Sequence, residues 1–352
     1  MRDDLREYVI DHLGTEQSVL VVDETGDVKK GNATIGVQRQ YTGTAGRIEN
    51  SQVAVYLVLA TPRGHAAVDR ELYLPRAWTD DPGRCRAAGL NPEEVRFATK
   101  TQLAATMLQR FFAGGHTAGW VTGDEVYGGN PALLSTIAAH GTGYAMAVSC
   151  RTEVRTPAGK FRVDALMRKV PRRGWQQLSA GAGAKGPRLY HWAAVDLTPT
   201  DTAGTHQLLI RRNRTTGELA YYRCYSPRPV PLSVLVHVAG TRWRIEETFQ
   251  AGKGLAGLDE HQLRHYTPWL RWVTLAMLAH AFLAVTRAHE HQDHPTPDGL
   301  IALTCNEIQR LFALPTTAPS DPRDHRQRWS LWRRRHQARA RDCHYRRREA
   351  TP

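Results

Sequence analysis

Along this chain the spacing of apolar positions alternates between strand-like and helix-like periods, which predicts an α/β protein. Residues 18–22, SVLVV, form a short β-branched run ending at Asp23 and read as a buried strand that delivers an acid to its C-terminal end. A polar, Gly-rich loop is expected from Gly26 to Gly46. QVAVYLVLA, from Gln52 to Ala60, and the alternating run from Ala67 to Leu74 predict two neighbouring strands, the second closed by Pro75. Thr79 to Gly89 reads as a connector. Leu103, Met107, Leu108, Phe111 and Phe112 then fall at helical spacing and stop at Gly114-Gly115. Trp120 to Thr122 predict a strand that again ends in an acid, Asp124; Pro131 opens a short helix, and YAMAVSC, 144–150, is a further strand.

From 151 to about 235 Thr, Gly, Pro, Tyr and Trp rise, and LLIRRNRTTGELAYYRCY reads as two strands joined around Thr215 to Glu218. From Ser233 the pattern turns helical, with Arg242, Glu246, Phe249, Gln250 and Lys253 recurring along one helix face. Two more helices are expected, over 268–290 and 302–313. The organisation predicted is therefore a residual N-terminal segment (1–17), the first part of an α/β core (18–150) and a β-rich insertion (151–235). A helix carrying Glu246 with C-terminal helices completing the core (236–315) and a basic C-terminal tail (316–352) follow.

The 352 residues suffice for about two domains, or for one domain carrying a large insertion. With 47 Lys+Arg against 34 Asp+Glu the formal charge is +13, and 9 Trp accompany it, which suggests a polyanion-binding surface on a globular chain and excludes disordered or fibrous classes. Residues 323–352 contribute 11 Arg and 3 acids, +8 of the total, interleaved with Trp329 and Trp332. That composition fits an electrostatic arm making sequence-blind nucleic-acid contacts, or a solvated tail. Five cysteines stand far apart with no CxxC pair, against a zinc site or a disulfide framework. The first twenty residues lack a secretory pattern, and the apolar stretch Trp269 to Val285 is broken by Arg271 and His280. The expectation is a buried helix in a cytoplasmic protein without a membrane partner.

Three acids stand out by position: Asp23 and Asp124 at strand ends, and Glu246 on a later helix. Singly, each reads as a turn former or helix cap. Gathered, they would repel unless they held divalent metal, and hard oxygen donors choose Mg²⁺ or Mn²⁺. Two such ions clamp the attacking and leaving oxygens of a phosphodiester, so the chemistry implied is metal-dependent phosphoryl transfer. Glu247 lies about 100° around the helix from Glu246. Glu24 and Glu125 face away from their aspartate neighbours and read as surface residues, and Asp27 as a turn former.

The text around these acids is specific. VVDETGDVKKG followed by GVQRQYTGTAGRIENSQ, then WVTGDEVYG, then TRWRIEETFQAGK resemble the three acid blocks of the DDE insertion-sequence transposases, in the branch with a β-rich insertion before the last acid. Arg242, Glu246 and Lys253 keep the intervals of that branch's Y-R-E-K signature, with Ala239 at the Tyr position. The resemblance runs from Ser18 to about Pro315. It implies a ribonuclease-H-like catalytic core with a β-rich insertion and C-terminal helices, and two Mg²⁺ ions (Mn²⁺ as substitute) on Asp23, Asp124 and Glu246. It also implies cleavage at element ends, strand transfer into target DNA, a hairpin intermediate on the cut-and-paste route, and a homodimer in the synaptic complex.

By the same resemblance Arg242 and Lys253 hold DNA phosphates, the alternative being ion pairs with Glu246. Lys29, Lys30, Arg39 and Arg47 are further phosphate candidates. In the insertion, Lys185, Arg188, Tyr190 and Trp192, with Trp175 upstream, are candidates for contacts to DNA or a flipped base; filling the insertion's core is the alternative for the Trp residues. In the family a helical DNA-binding region precedes the first acid block, whereas 22 residues precede Asp23 here. The expectation is a chain that starts late, is an incomplete copy, or takes end recognition from elsewhere. A truncated or domesticated nuclease and a non-catalytic DNA-binding remnant are the competing functions.

Overall fold

A computed structural model describes residues 1–183, 186–199, 202–312 and 321–349, with side chains of 321–324 excepted. In chain order the elements are α1 (Arg2–Leu13), β1 (Val19–Val28), β2 (Gln38–Thr42), β3 (Arg47–Ala60), β4 (His65–Leu72), α2 (Arg76–Thr79), α3 (Pro82–Ala87), α4 (Lys100–Ala113), β5 (Trp120–Gly123), α5 (Glu125–Gly128), α6 (Pro131–Ala139) and β6 (Gly143–Val148). The second half adds β7 (Glu153–Thr156), β8 (Gly159–Arg162), α7 (Val163–Met167), β9 (Gln176–Gly183), β10 (Gly186–Asp196), β11 (Thr205–Asn213), β12 (Leu219–Ser226), α8 (Leu232–Thr241), α9 (Trp243–Ala256), α10 (Tyr266–Asp293), α11 (Cys305–Phe312) and α12 (Asp321–Glu349).

The central sheet is mixed. β3 pairs antiparallel with both β1 and β4, while β5 runs parallel to β1 and β6 parallel to β5. The order β4-β3-β1-β5-β6, three antiparallel strands followed by two parallel ones, is the ribonuclease-H-like arrangement. Strand chemistry explains the positions. The apolar run of β1 is buried from Val19 through Val22, and β3 is buried continuously from Ser51 to Ala60, as strands covered on both faces must be. α4 begins with a Thr99/Gln102 capping box and packs on β3 and β4.

One expectation changes, and two regions gain definition. The Gly26–Gly46 stretch is not all loop, because β1 continues to Val28 and β2 pairs with the start of β3. The insertion does not fold apart from the core: β12 pairs antiparallel with β6, and β11, β10 and β9 extend the same sheet. The edge that β6 would otherwise expose is thereby covered. A smaller apolar cluster, including Val154, Val163, Leu166, Leu208 and Ile210, forms under β7 and β8. Finally, the N-terminal segment 1–17 carries α1, which packs on the core. Leu5, Val9 and Leu13 of α1 are buried, α1 packs on α10 and β4, and the guanidinium of Arg6 reaches Asp69 at 3.3 Å.

Helix α10 is long and apolar enough by length and composition to cross a bilayer, yet Trp269, Val273, Met277 and Ala281 are buried in the core. It packs on α9, β4, α1 and α11. The described part of the basic C-terminal segment is helical. Arg333 of α12 pairs with Glu307, and Arg334 donates to the Ile301 carbonyl at 2.9 Å.

Candidate active site

Asp23 and Asp124 come together because β1 and β5 are adjacent and parallel: Val22 pairs with Gly123, so the next residues, Asp23 within β1 and Asp124 just past β5, lie side by side. Asp124 follows β5 directly and caps α5, accepting from the Val126 N–H at 2.9 Å. α5 is pressed onto β6: a Cβ at Gly128 would overlap the Ala147 carbonyl, so only glycine permits this approach. Asp23 is 8 % exposed; its Oδ1 accepts from the Glu24 N–H at 2.8 Å, and its Oδ2 meets Arg242 Nη1 at 3.2 Å.

The charges are under-neutralised. Burial, and then the negative charge of Asp124, push the Asp23 carboxyl up to about 8 against the pull of Arg242. Asp124 is also raised, by burial and then by Glu24. A buried and a half-buried carboxylate that resist ionising together suit a divalent cation, and oxygen donors suit Mg²⁺ or Mn²⁺. Asp23 and Asp124 thus offer donors of the kind such an ion takes. Two acids of the proposed three are gathered. Glu246 lies one turn beyond Arg242 on α9, exposed and without a hydrogen-bond or ion-pair partner among the described residues; no group of three or more His, Cys, Asp or Glu poised for a metal is found among them.

Arg242 is the junction between α8 and α9 and keeps helical geometry there. α8 approaches β9 so closely that a Cβ at Gly240 would overlap the Ala180 carbonyl. Beside the acids, the β10–β12 surface and the α8–α9 junction enclose a cleft of about 830 Å³, lined by Asp124, Arg188, Tyr190, Arg211, Tyr222, Ala239, Arg242 and Trp243 among others.

The other sequence candidates separate. Lys253 does not pair with Glu246; its ammonium contacts Asp27 at 3.2 Å and the Gly26 carbonyl at 3.1 Å, so it ties α9 to the end of β1. Asp27 is thus an ion-pair partner rather than a mere turn former. Lys29 is no free phosphate ligand: it is buried, donates to the His261 carbonyl at 2.7 Å, and burial lowers its pKa. Lys30, Arg39 and Arg47 are exposed. Arg188 donates to the Ala180 and Gly240 carbonyls at 2.9 and 3.3 Å, bracing the cleft wall. Trp192 is 1 % exposed with its N–H on the Leu178 carbonyl, which makes it core and removes it as an exposed stacking platform. Trp175 lies under the guanidinium of Arg212. Lys185 lies outside the described residues.

Sequence reasoning missed the brace between the two aspartates. Glu24, read as a surface residue, accepts from the hydroxyl of fully buried Tyr127 at 2.5 Å and pairs with Lys100 at 2.6 Å. It links the residue after Asp23 to the helix that Asp124 caps. The signal was present as an apolar-sized Tyr three residues past an acid, but its partner is a hundred residues upstream. Glu247 pairs with Arg244 and His65, which leaves Glu246 as the acid on α9 with no such commitment.

Residues 1–207 match the family described as DDE superfamily endonuclease, and the chain belongs to that family. A probable transposase for insertion sequence element IS701 of Microchaete diplosiphon is 30% identical over 122 residues, which are 35% of this chain and 29% of that relative. The chain thus matches under a third of the relative's length. Among solved structures, a piggyBac transposase synaptic complex with hairpin DNA aligns over 91% of this chain and 59% of its own, at 7% identity and a TM-score of 0.49. The NurA nuclease from Sulfolobus solfataricus aligns over 84% and 92%, at 11% identity and a TM-score of 0.30.

Proposed function

We propose that this chain is a transposase that cuts DNA at insertion-element ends and joins the freed ends to target DNA. The observation that carries this reading is the under-neutralised pair of buried Asp23 and half-buried Asp124, side by side where β1 and β5 run parallel, in a chain of an endonuclease family. Asp23 and Asp124, with Glu246 from α9, would hold two Mg²⁺ ions, or Mn²⁺. Bound there, such ions would supply Lewis-acid polarisation of the phosphodiester and activation of the attacking water. Water attack on the scissile phosphodiester breaks its P–O bond and leaves a 3′-hydroxyl on the element end. Attack of that hydroxyl on a target phosphodiester forms the new P–O bond and expels the target's own 3′-oxygen, with the same acids serving both steps.

Arg242 neutralises Asp23 in the free protein and turns to a DNA phosphate when substrate enters the cleft. Exposed Lys30 and Arg39 add phosphate contacts, while Lys253 acts through Asp27 to position α9. Two element ends must be held at once, so a homodimer is the working assembly. The partial match to an insertion-sequence transposase supports DNA as the substrate.

A second reading, a DNA-binding protein without catalysis, is favoured by the exposed position of Glu246, and in it Arg242 is the permanent counter-ion of Asp23. The test is cleavage of a supercoiled plasmid carrying both element ends with Mg²⁺ or Mn²⁺. Cutting at the element boundary that Asp124→Ala and Glu246→Ala each reduce by about 10²–10³-fold, the scale of one lost transition-state stabiliser, supports catalysis. Binding without metal-dependent cutting supports the second reading.

A further inference from the structure

Helix α12 has two unlike faces. At 100° per residue, Ser330, Arg334, Ala338, Tyr345 and Arg348 share one side, and that side meets protein. Ser330 and Ala338 are buried, Arg334 donates to Ile301, the Tyr345 hydroxyl to the Gly183 carbonyl at 3.4 Å, and Arg348 to the Pro187 carbonyl at 2.9 Å. The opposite side carries Trp329, Trp332, Arg335, His336, Arg339 and Arg346, all exposed. Trp329 and Trp332, 49% and 54% exposed, stack at 4.9 Å, and Trp332 stacks on His336 at 5.5 Å. Among the helix's described side chains from Trp329 to Arg346, Asp342 lies on the flank beside Arg341, and the outward face carries no acid.

We infer that this face of α12 binds the phosphate backbone of duplex DNA without reading its sequence. Arg335, Arg339 and Arg346 span 11 residues, about 16 Å of helix, against a duplex that offers one negative charge per ~1.7 Å. None of the three has an ion-pair or hydrogen-bond partner within the described residues. A helix lying on a membrane carries apolar side chains along its whole outer face, whereas here they end at Trp332 and arginines continue. Position agrees as well. The far end of α12 rests on the β9–β10 hairpin, whose Arg188 lines the cleft with Asp124 and Arg242. DNA leaving the cleft past that hairpin meets α12 next.

This surface rests on reading the chain as a DNA-processing enzyme, and the test separates the two. Binding of the full chain to a mixed-sequence duplex of roughly three turns is measured in EDTA between about 50 and 200 mM salt. The triple variant Arg335→Ala/Arg339→Ala/Arg346→Ala is expected to flatten the slope of log K against log salt by about 2.7, so that wild type loses about 40-fold more affinity over that range. The corresponding triple Lys variant keeps the slope, because charge count sets it. An unchanged slope in the Ala variant overturns the inference. So does an unchanged slope accompanied by lost binding to phosphatidylserine vesicles, which assigns the face to a lipid surface. Failure of the catalytic reading looks different: wild type binds with the full salt slope and never cuts.

Discussion

Asp69 and Asp23 are both buried carboxylates on neighbouring parts of one sheet, and their surroundings differ in charge balance. Asp69 on β4 is fully buried but accepts from its neighbour's backbone N–H, from Arg6 at 3.3 Å and from Arg110 at 2.9 and 3.0 Å. Arg110 also holds Glu71 at 2.6 Å. Three arginines, Arg2, Arg6 and Arg110, face three acids, Asp3, Asp69 and Glu71, there, and the cluster locks α1 and α4 to the sheet. Around Asp23, the single guanidinium of Arg242 faces Asp23, Asp124 and the nearby Glu24, whose own charge Lys100 takes up. A neutralised buried acid is a structural pin. An acid pair left short of positive charge costs stability unless something cationic binds, and on that deficit rests our proposal that this end of the sheet is the functional one.

The sharpest way to break this comparison is to remove the pin. Asp69→Asn leaves Arg6 and Arg110 short of charge in a buried place and should destabilise the fold by about 3–5 kcal/mol, read from urea denaturation. A loss under about 1 kcal/mol would mean that the two regions do not differ as described.

The next effect has the opposite sign. Asp23 titrates near 3.8 unfolded and about 8 folded. Between those pH values the folded state holds more protons, so stability falls as pH rises through that window. Asn cannot ionise. In EDTA, Asp23→Asn should therefore melt about 5 °C above wild type at pH 8 and level with it near pH 4, by calorimetry. Added Mg²⁺ should narrow the gap at pH 8. Parallel pH curves for the two proteins would remove the argument for strain at this site.

Smaller still is the brace. Tyr127→Phe loses a hydrogen bond to a charged acceptor and should cost about 1.5–2 kcal/mol in urea denaturation, with cleavage reduced beyond what the remaining folded fraction explains. On α9, Glu247→Gln breaks half-exposed pairs with Arg244 and His65 and should shift stability by about 1 kcal/mol or less while leaving plasmid cleavage near wild type. Loss of cleavage in this variant comparable to that of Glu246→Ala would exchange the roles of the two glutamates.

Much of this protein was written locally. The β-branched run before Asp23, the buried stretch of β3, the α4 pattern with its glycine stop and the Pro131 helix start depend on spacing and turn chemistry within a few residues, and such signals survive in one dimension. The ordered blocks around Asp23, Asp124 and Glu246 likewise singled out the acids. What tertiary structure alone decided is pairing across distance. Lys29 could bind a phosphate or a carbonyl until the loop at His261 is placed. Trp192 could stack on a base or fill a core until β9 supplies the Leu178 carbonyl. The insertion could stand apart or extend the sheet until β12 meets β6. In each case the side chain's chemistry allows both fates, and burial beside a partner more than a dozen residues away selects one, because a buried donor or strand edge is stable only when that partner is present.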